Sequence, residues 1–146
     1  MTPRRVAKGL AVTLDSRSII CRFYRPRAMT IVPTPLTDHQ YRALTGSLLA
    51  AVEAAADRWL QEGLIDIDTL RTGGLLELSF PNGSKIILNT QPPLHELWMA
   101  ARSGGYHYKH AAGQWLDTRD GSEFFDALSA CASQQGGRDL RFTPRA

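Results

Sequence analysis

Five carboxylates, Glu53, Asp57, Glu62, Asp66 and Asp68, stand within 16 positions, with Arg58 the only base among them. The window nets −4 and is the most acidic in the chain. Carboxylate oxygens without imidazole or thiolate neighbours suit hard or weakly held divalent ions and discriminate poorly between them. The same residues admit two other uses: a solvated acidic face, or salt-sensitive docking onto a basic partner. A second group is Trp98 with Asn89 and Gln91. An exposed indole ringed by adaptable amides is a partner anchor, whereas the same indole packed on its neighbours merely tiles a sheet.

Catalytic signatures are absent. The chain has no HExxH, no GxSxG, no phosphate-binding glycine loop and no Cys/His metal spacing. His107 and His110 are three apart, a spacing that splits their side chains on a strand and its turn. Strand alternation likewise separates His95 from Glu96, so each His reads as an ordinary surface or edge residue. Cys21 and Cys131 lie 110 positions apart, which argues against a disulfide scaffold and for a reducing compartment.

The 146 residues carry a net charge of +3, which averages two unlike segments. Residues 1–30 hold seven basic side chains against Asp15 alone, so the remaining 116 residues net −3. A nucleic-acid reading drawn from the whole-chain charge would rest on the leader rather than the body. The leader's apolar run from Gly9 to Leu14 is too short for a secretory signal. It is taken as an upstream extension before Met29, expected to be poorly ordered, with an organelle transit peptide or a basic tail as the alternatives. No run reaches the roughly 18 apolar residues of a membrane span.

The elements that must position these groups begin at Thr37, which forms a capping-box pattern with Gln40. Tyr41, Leu44, Leu48, Val52, Ala55 and Trp59 recur at helical spacing and predict a long amphipathic helix ending near Gly63. Glu53 and Asp57 share its solvent-facing flank. Periodicity then switches to two. Ile65 to Asp68 reads as a first strand and Thr72-Gly73-Gly74 as a turn. Leu76, Leu78 and Phe80 mark one face of a second strand. Asn82-Gly83 predicts a type I′ hairpin turn. Ser84 to Thr90 is a third strand, with Ile86 and Leu88 opposite Lys85, Ile87 and Asn89. Leu94 to Ala101 is a fourth, placing Trp98 opposite Leu97 and Met99. Tyr106 to Tyr108 and Gln114 to Asp117 follow. Asp120 with Glu123 opens a second helix, whose stripe is Phe124, Leu128 and Cys131, and Gln134 to Gly137 stops it. Leu140 and Phe142 lie in the tail.

Strands joined by tight turns are antiparallel. Two amphipathic helices sharing one apolar surface predict an α+β fold: a two-layer sandwich, both helices on one face of a twisted sheet of five to six strands. Trp98 then stands on the bare face.

The stretch Asn82-Gly83-Ser84-Lys85-Ile86-Ile87-Leu88-Asn89, followed by Gln91, Pro93, Leu94, Trp98 and Gly104-Gly105-Tyr106-His107-Tyr108, resembles bacterial frataxin, the CyaY family. Asp66-Ile67-Asp68 before Gly73-Gly74, Trp115 and Gln134-Gln135 agree with it, and the likeness covers about residues 36–142. The resemblance implies a frataxin-like domain over residues 31–146 and a non-enzymatic role in iron–sulfur cluster assembly. It implies iron, Fe²⁺ or Fe³⁺, held weakly and exchangeably at Glu53, Asp57, Asp66 and Asp68. The implied partners are a cysteine desulfurase, docked at Trp98, Asn89 and Gln91, and the iron–sulfur scaffold protein. A cytoplasmic monomer that binds neither nucleic acid nor membrane is expected, or a mitochondrial protein if residues 1–28 are a transit peptide. Arg58, Leu60 and Leu70 stand where relatives often carry acids, so the ridge is thin. The alternative function is a ferroxidase or iron store, which needs carboxylates converging on one ion.

Overall fold

The computed structural model describes residues 30–144; the expectations for the leader, Cys21 included, fall outside the described residues. Helix α1 spans Asp38–Gln61. Strands β1 (Asp68–Thr72), β2 (Leu75–Ser79), β3 (Lys85–Gln91), β4 (Glu96–Ala101), β5 (Gly104–Ala111) and β6 (Gln114–Asp117) follow, and helix α2 spans Phe124–Gly136. The six strands form one antiparallel sheet in sequence order. Among the described residues no helix is long and apolar enough to cross a membrane.

The first helix starts where the sequence places it. The Thr37 hydroxyl accepts from the Gln40 amide at 3.2 Å, and the Gln40 side chain accepts from the Thr37 amide at 2.9 Å. Two of the orphan N–H groups of the helix end are thereby satisfied. Its buried stripe is Tyr41, Leu48, Val52, Ala55 and Trp59, with Leu49, Ala51 and Ala56 beside it. Leu44 departs from the expected stripe: it is 36% exposed, at the margin of the apolar face.

Alternation then sorts the sheet. Leu76, Leu78, Ile86, Leu88, Leu97, Met99 and Tyr108 are essentially fully buried and share the helix-covered face. From α2, Phe124 and Leu128 meet them, with the Phe124 ring edge-on to Tyr108. The tail closes the layer. Phe142 packs edge-on against Trp59, and the Ser129 and Ser133 hydroxyls accept from the Phe142 and Leu140 amides at 2.9 Å each.

Four local expectations need correction. The first strand is Asp68–Thr72 rather than Ile65 to Asp68. The Gly73-Gly74 turn pairs Thr72 with Leu75 and runs back to Asp68 opposite Ser79, so residues before Asp68 have no partner on the five-residue β2. Ile67 is buried without joining the ladder. Only Gly83 of Asn82-Gly83 has positive φ, because Pro81 seeds an ordinary turn closed by Gly83 N–H to Phe80 O, 2.9 Å. The loop with two positive φ values is Ala112-Gly113, at 51° and 76°. Strand β4 begins at Glu96, since Pro92–Leu94 forms a 3-10 turn and His95 is left-handed at φ 50°. Glu123, not Asp120, caps α2: its carboxylate accepts from the Asp126 amide at 2.9 Å, while Asp120 is taken up by Ser122 and Gly121 has φ 76°.

The Asn82 and Gln135 signatures meet in one buried network. Gln135, 3% exposed, donates to the Ser84 hydroxyl and the Lys85 carbonyl at 3.1 Å each, and accepts from the Arg102 amide at 3.1 Å. Asn82 donates to the Gln135 carbonyl at 2.7 Å. The end of α2 is thereby tied to the β2–β3 and β4–β5 turns.

The Tyr41 hydroxyl donates to the Glu96 carbonyl at 2.6 Å and accepts from the Gln91 amide at 2.9 Å. Tyr41→Phe leaves both backbone groups without that partner, and a loss of about 1–2 kcal/mol is expected in denaturant unfolding. His110 is not an ordinary surface residue: its Nδ1 is buried with no hydrogen-bond partner among the described residues, and desolvation holds its pKa below the ordinary value of about 6.5. The unfolded chain therefore binds that proton more readily, so stability falls as pH drops below about 6.5. In His110→Phe this part of the pH–stability slope is expected to vanish.

Candidate functional site

On the face that no helix of the described residues covers, Asn89 of β3 pairs with Trp98 of β4, and Gln91 pairs with Glu96. Asn89, Gln91 and Trp98 are half-buried, Glu96 has a side chain only 12% exposed, and all four share the outward phase of the ladder with Ile87 and Ala100. The structure therefore brings Trp98, Asn89 and Gln91 together, as alternation predicts. Gln91 and Glu96 are also the two residues whose backbones Tyr41 ties from the core side. A fully buried phenol of α1 thus fixes the corner from which β4 carries Trp98.

Trp98 does not stand alone. Its indole Nε1–H donates to Glu96 Oε2 at 2.7 Å, and Lys109 Nζ lies 3.8 Å from Glu96 Oε1. From β5, directly across the ladder, the His107 ring stacks on the indole with centroids 4.2 Å apart and planes within 7°. The indole is thus both displayed and packed against a cross-strand neighbour. Glu96, His107 and Lys109 escape a motif-based reading. Their signals are Glu96 two residues before Trp98 on the same strand face, and a Gly104-Gly105 turn that returns β5 alongside β4. Elsewhere on the face, Lys85 Nζ contacts Glu77 Oε1 at 2.6 Å, and that ammonium holds the Glu77 carboxyl below its ordinary range. Leu70, at the sheet edge, is 62% exposed.

The acidic residues border β1 from two sides. Glu53 on α1 reaches β1 through Arg71, Oε1 to Nη1 3.1 Å. Arg71 lies in the helix-facing phase of β1, opposite Leu76, whereas Asp68 lies opposite Ser79 in the bare-face phase. Asp57, Glu62, Asp66 and Asp68 are exposed and form no ion pair among the described residues. Among those residues no three His, Cys, Asp or Glu side chains stand together as a metal-holding group. Open carboxylates of this kind suit a hydrated, exchangeable cation rather than a caged one.

The remaining histidines separate as expected, His107 outward and His110 toward the helices. His95 differs. It lies outside β4, its ring stacks on Tyr41 at 4.8 Å, and its Nε2 meets Asp38 Oδ1 at 2.7 Å. Cys131 is buried on the α2 stripe and forms no disulfide among the described residues.

Two helices over a six-stranded antiparallel sheet, with an indole on the bare face, define a frataxin-like α-β sandwich. A family model described as a frataxin-like domain matches residues 34–138, and the chain belongs to the frataxin/CyaY family. Among curated proteins it is 53% identical over 107 residues to the iron–sulfur cluster assembly protein CyaY of Polaromonas sp. strain JS666, covering 73% of this chain and 92% of that one. The protein of the same name from Variovorax paradoxus is 48% identical over 107 residues, covering 73% and 97%. Among solved structures, the frataxin of Psychromonas ingrahamii superposes with a TM-score of 0.65 at 35% identity, over 74% of this chain and 99% of that one. Yeast frataxin shares the fold with a TM-score of 0.58 at 19% identity, over 77% and 96%.

Proposed function

We propose that this protein serves iron–sulfur cluster assembly in the cytoplasm, docking through its helix-free sheet face on a cysteine desulfurase as a regulator. The observation that carries the reading is the outward indole of Trp98 beside Asn89 and Gln91, on a face that no helix of the described residues covers. Aromatic anchors, Trp among them, are the usual energetic centres of protein interfaces. The names of the bacterial relatives support the pathway. The scaffold protein of cluster assembly is the second partner in this reading.

Asp57, Asp66 and Asp68, with Glu53 when Arg71 releases it, carry iron weakly as cargo. Their exposed oxygens offer few ligands per ion, so water completes the coordination and exchange is fast. The same charges steer a basic partner surface and raise its on-rate at low salt. Regulation rather than oxidation of iron is the reading proposed, because it uses both the sheet face and the acidic border.

The test is capture by a purified bacterial cysteine desulfurase, with and without Fe²⁺, at two salt concentrations. Trp98→Ala is expected to weaken binding about tenfold or more while the melting temperature stays nearly unchanged. The pair Asp57→Asn, Asp66→Asn is expected to reduce mainly the salt-dependent part of binding. Undiminished capture of Trp98→Ala overturns the docking face, and its unfolding would make Trp98 a structural residue.

A further inference from the structure

The docking reading treats Trp98 as the anchor and leaves Glu96, Lys109 and His107 without a role. Their geometry supplies one. An indole on an open sheet has two side-chain torsions free to turn, and fixing them on association costs affinity. Here two contacts on different parts of the ring fix them in advance. The Glu96 carboxylate holds the Nε1 end at 2.7 Å, and the His107 imidazole covers one face at 4.2 Å.

Glu96 is itself held. Its side chain is only 12% exposed, its second oxygen faces the Lys109 ammonium, and its carbonyl is tied to Tyr41. A carboxylate so enclosed, with both oxygens facing donors, is poorly placed to meet a basic partner directly. That task falls to the exposed Asp57, Asp66 and Asp68. A hydrogen bond to an ionised acceptor is also stronger than a neutral one, which suits restraint of a ring in water.

We propose that Glu96 and His107 are positioning residues that set the Trp98 indole in one orientation before a partner protein arrives. The proposal rests on the docking reading, and the experiment separates the two. In the free protein, the indole N–H resonance of Trp98 is identified by its loss in Trp98→Ala, and its solvent exchange is followed by NMR. Glu96→Ala is expected to speed that exchange several-fold, and Glu96→Gln, which keeps an acceptor oxygen, to restore most of the protection. His107→Ala is expected to shift the same resonance, and His107→Phe, which keeps a flat ring, to bring it back.

Affinity for the desulfurase is measured on the same variants. Each alanine variant is expected to bind about two- to tenfold more weakly, the cost of ordering one side chain, and each conservative variant to recover most of the loss. Unchanged indole exchange in Glu96→Ala overturns the restraint whatever the binding shows. Equal weakening by Glu96→Gln and Glu96→Ala also overturns it, since charge would then matter rather than orientation. Indole signals altered in Glu96→Ala or His107→Ala, together with full affinity of Trp98→Ala for the desulfurase, would overturn the docking reading and with it the anchor.

Discussion

Among the described residues both helices lie on one face of the sheet, which leaves each strand a side that no helix covers. Alternation makes this unavoidable: each inward Leu, Ile or Met fixes an outward neighbour on the same strand. The inward set Leu76, Leu78, Ile86, Leu88, Leu97 and Met99 is almost fully buried. Ile87, Asn89 and Trp98 are placed on the far side by the same backbone that buries those residues. A one-residue slip of β3 or β4 would exchange the two sets, so the register that builds the core also assembles the surface cluster.

Tyr41 connects these two sides. Its ring belongs to the α1 stripe and stacks with His95, while its hydroxyl serves the Gln91 amide and the Glu96 carbonyl. Burial raises the pKa of its phenol, which keeps the hydroxyl protonated and able to donate. The corner before β4 includes Pro92, Pro93 and a left-handed His95, a turn that no ladder bond stabilises by itself. A core side chain that satisfies both ends of that corner lets an irregular segment deliver a regular strand.

Residue periodicity was enough to read most of this arrangement. The α1 cap, the buried faces of β2, β3 and β4, and the outward placement of Trp98 with Asn89 and Gln91 all follow from spacing. What escaped depends on pairing partners rather than on local pattern. Ile65 to Asp68 alternates well, yet β2 is too short to receive it. Asn82-Gly83 carries a hairpin signature, but Pro81 selects another turn type. Asp120 is a good cap by type, although Ser122 occupies its carboxylate and Gly121 bends the chain away from a helix. At the site, β4 alternation alone puts Glu96 on the Trp98 face, whereas His107 is set against the indole only by the β4–β5 register. The acidic window is plain in sequence, but its division between the two sides of β1, with Glu53 paired to Arg71, is a property of the folded chain.

The buried Gln135 amide has a consequence for how the domain comes apart. It binds the β2–β3 turn through Ser84 and Lys85 and the β4–β5 turn through Arg102, from the last turn of α2. Peeling either hairpin away strands a polar group in the interior, a penalty larger than the bond itself. Partial openings that free one turn alone are therefore disfavoured at this end of the molecule. The two hairpin tips and the helix terminus yield as one cooperative block, while the sheet edges, where β1 and β6 each have only one neighbouring strand, are the natural places for fraying to begin.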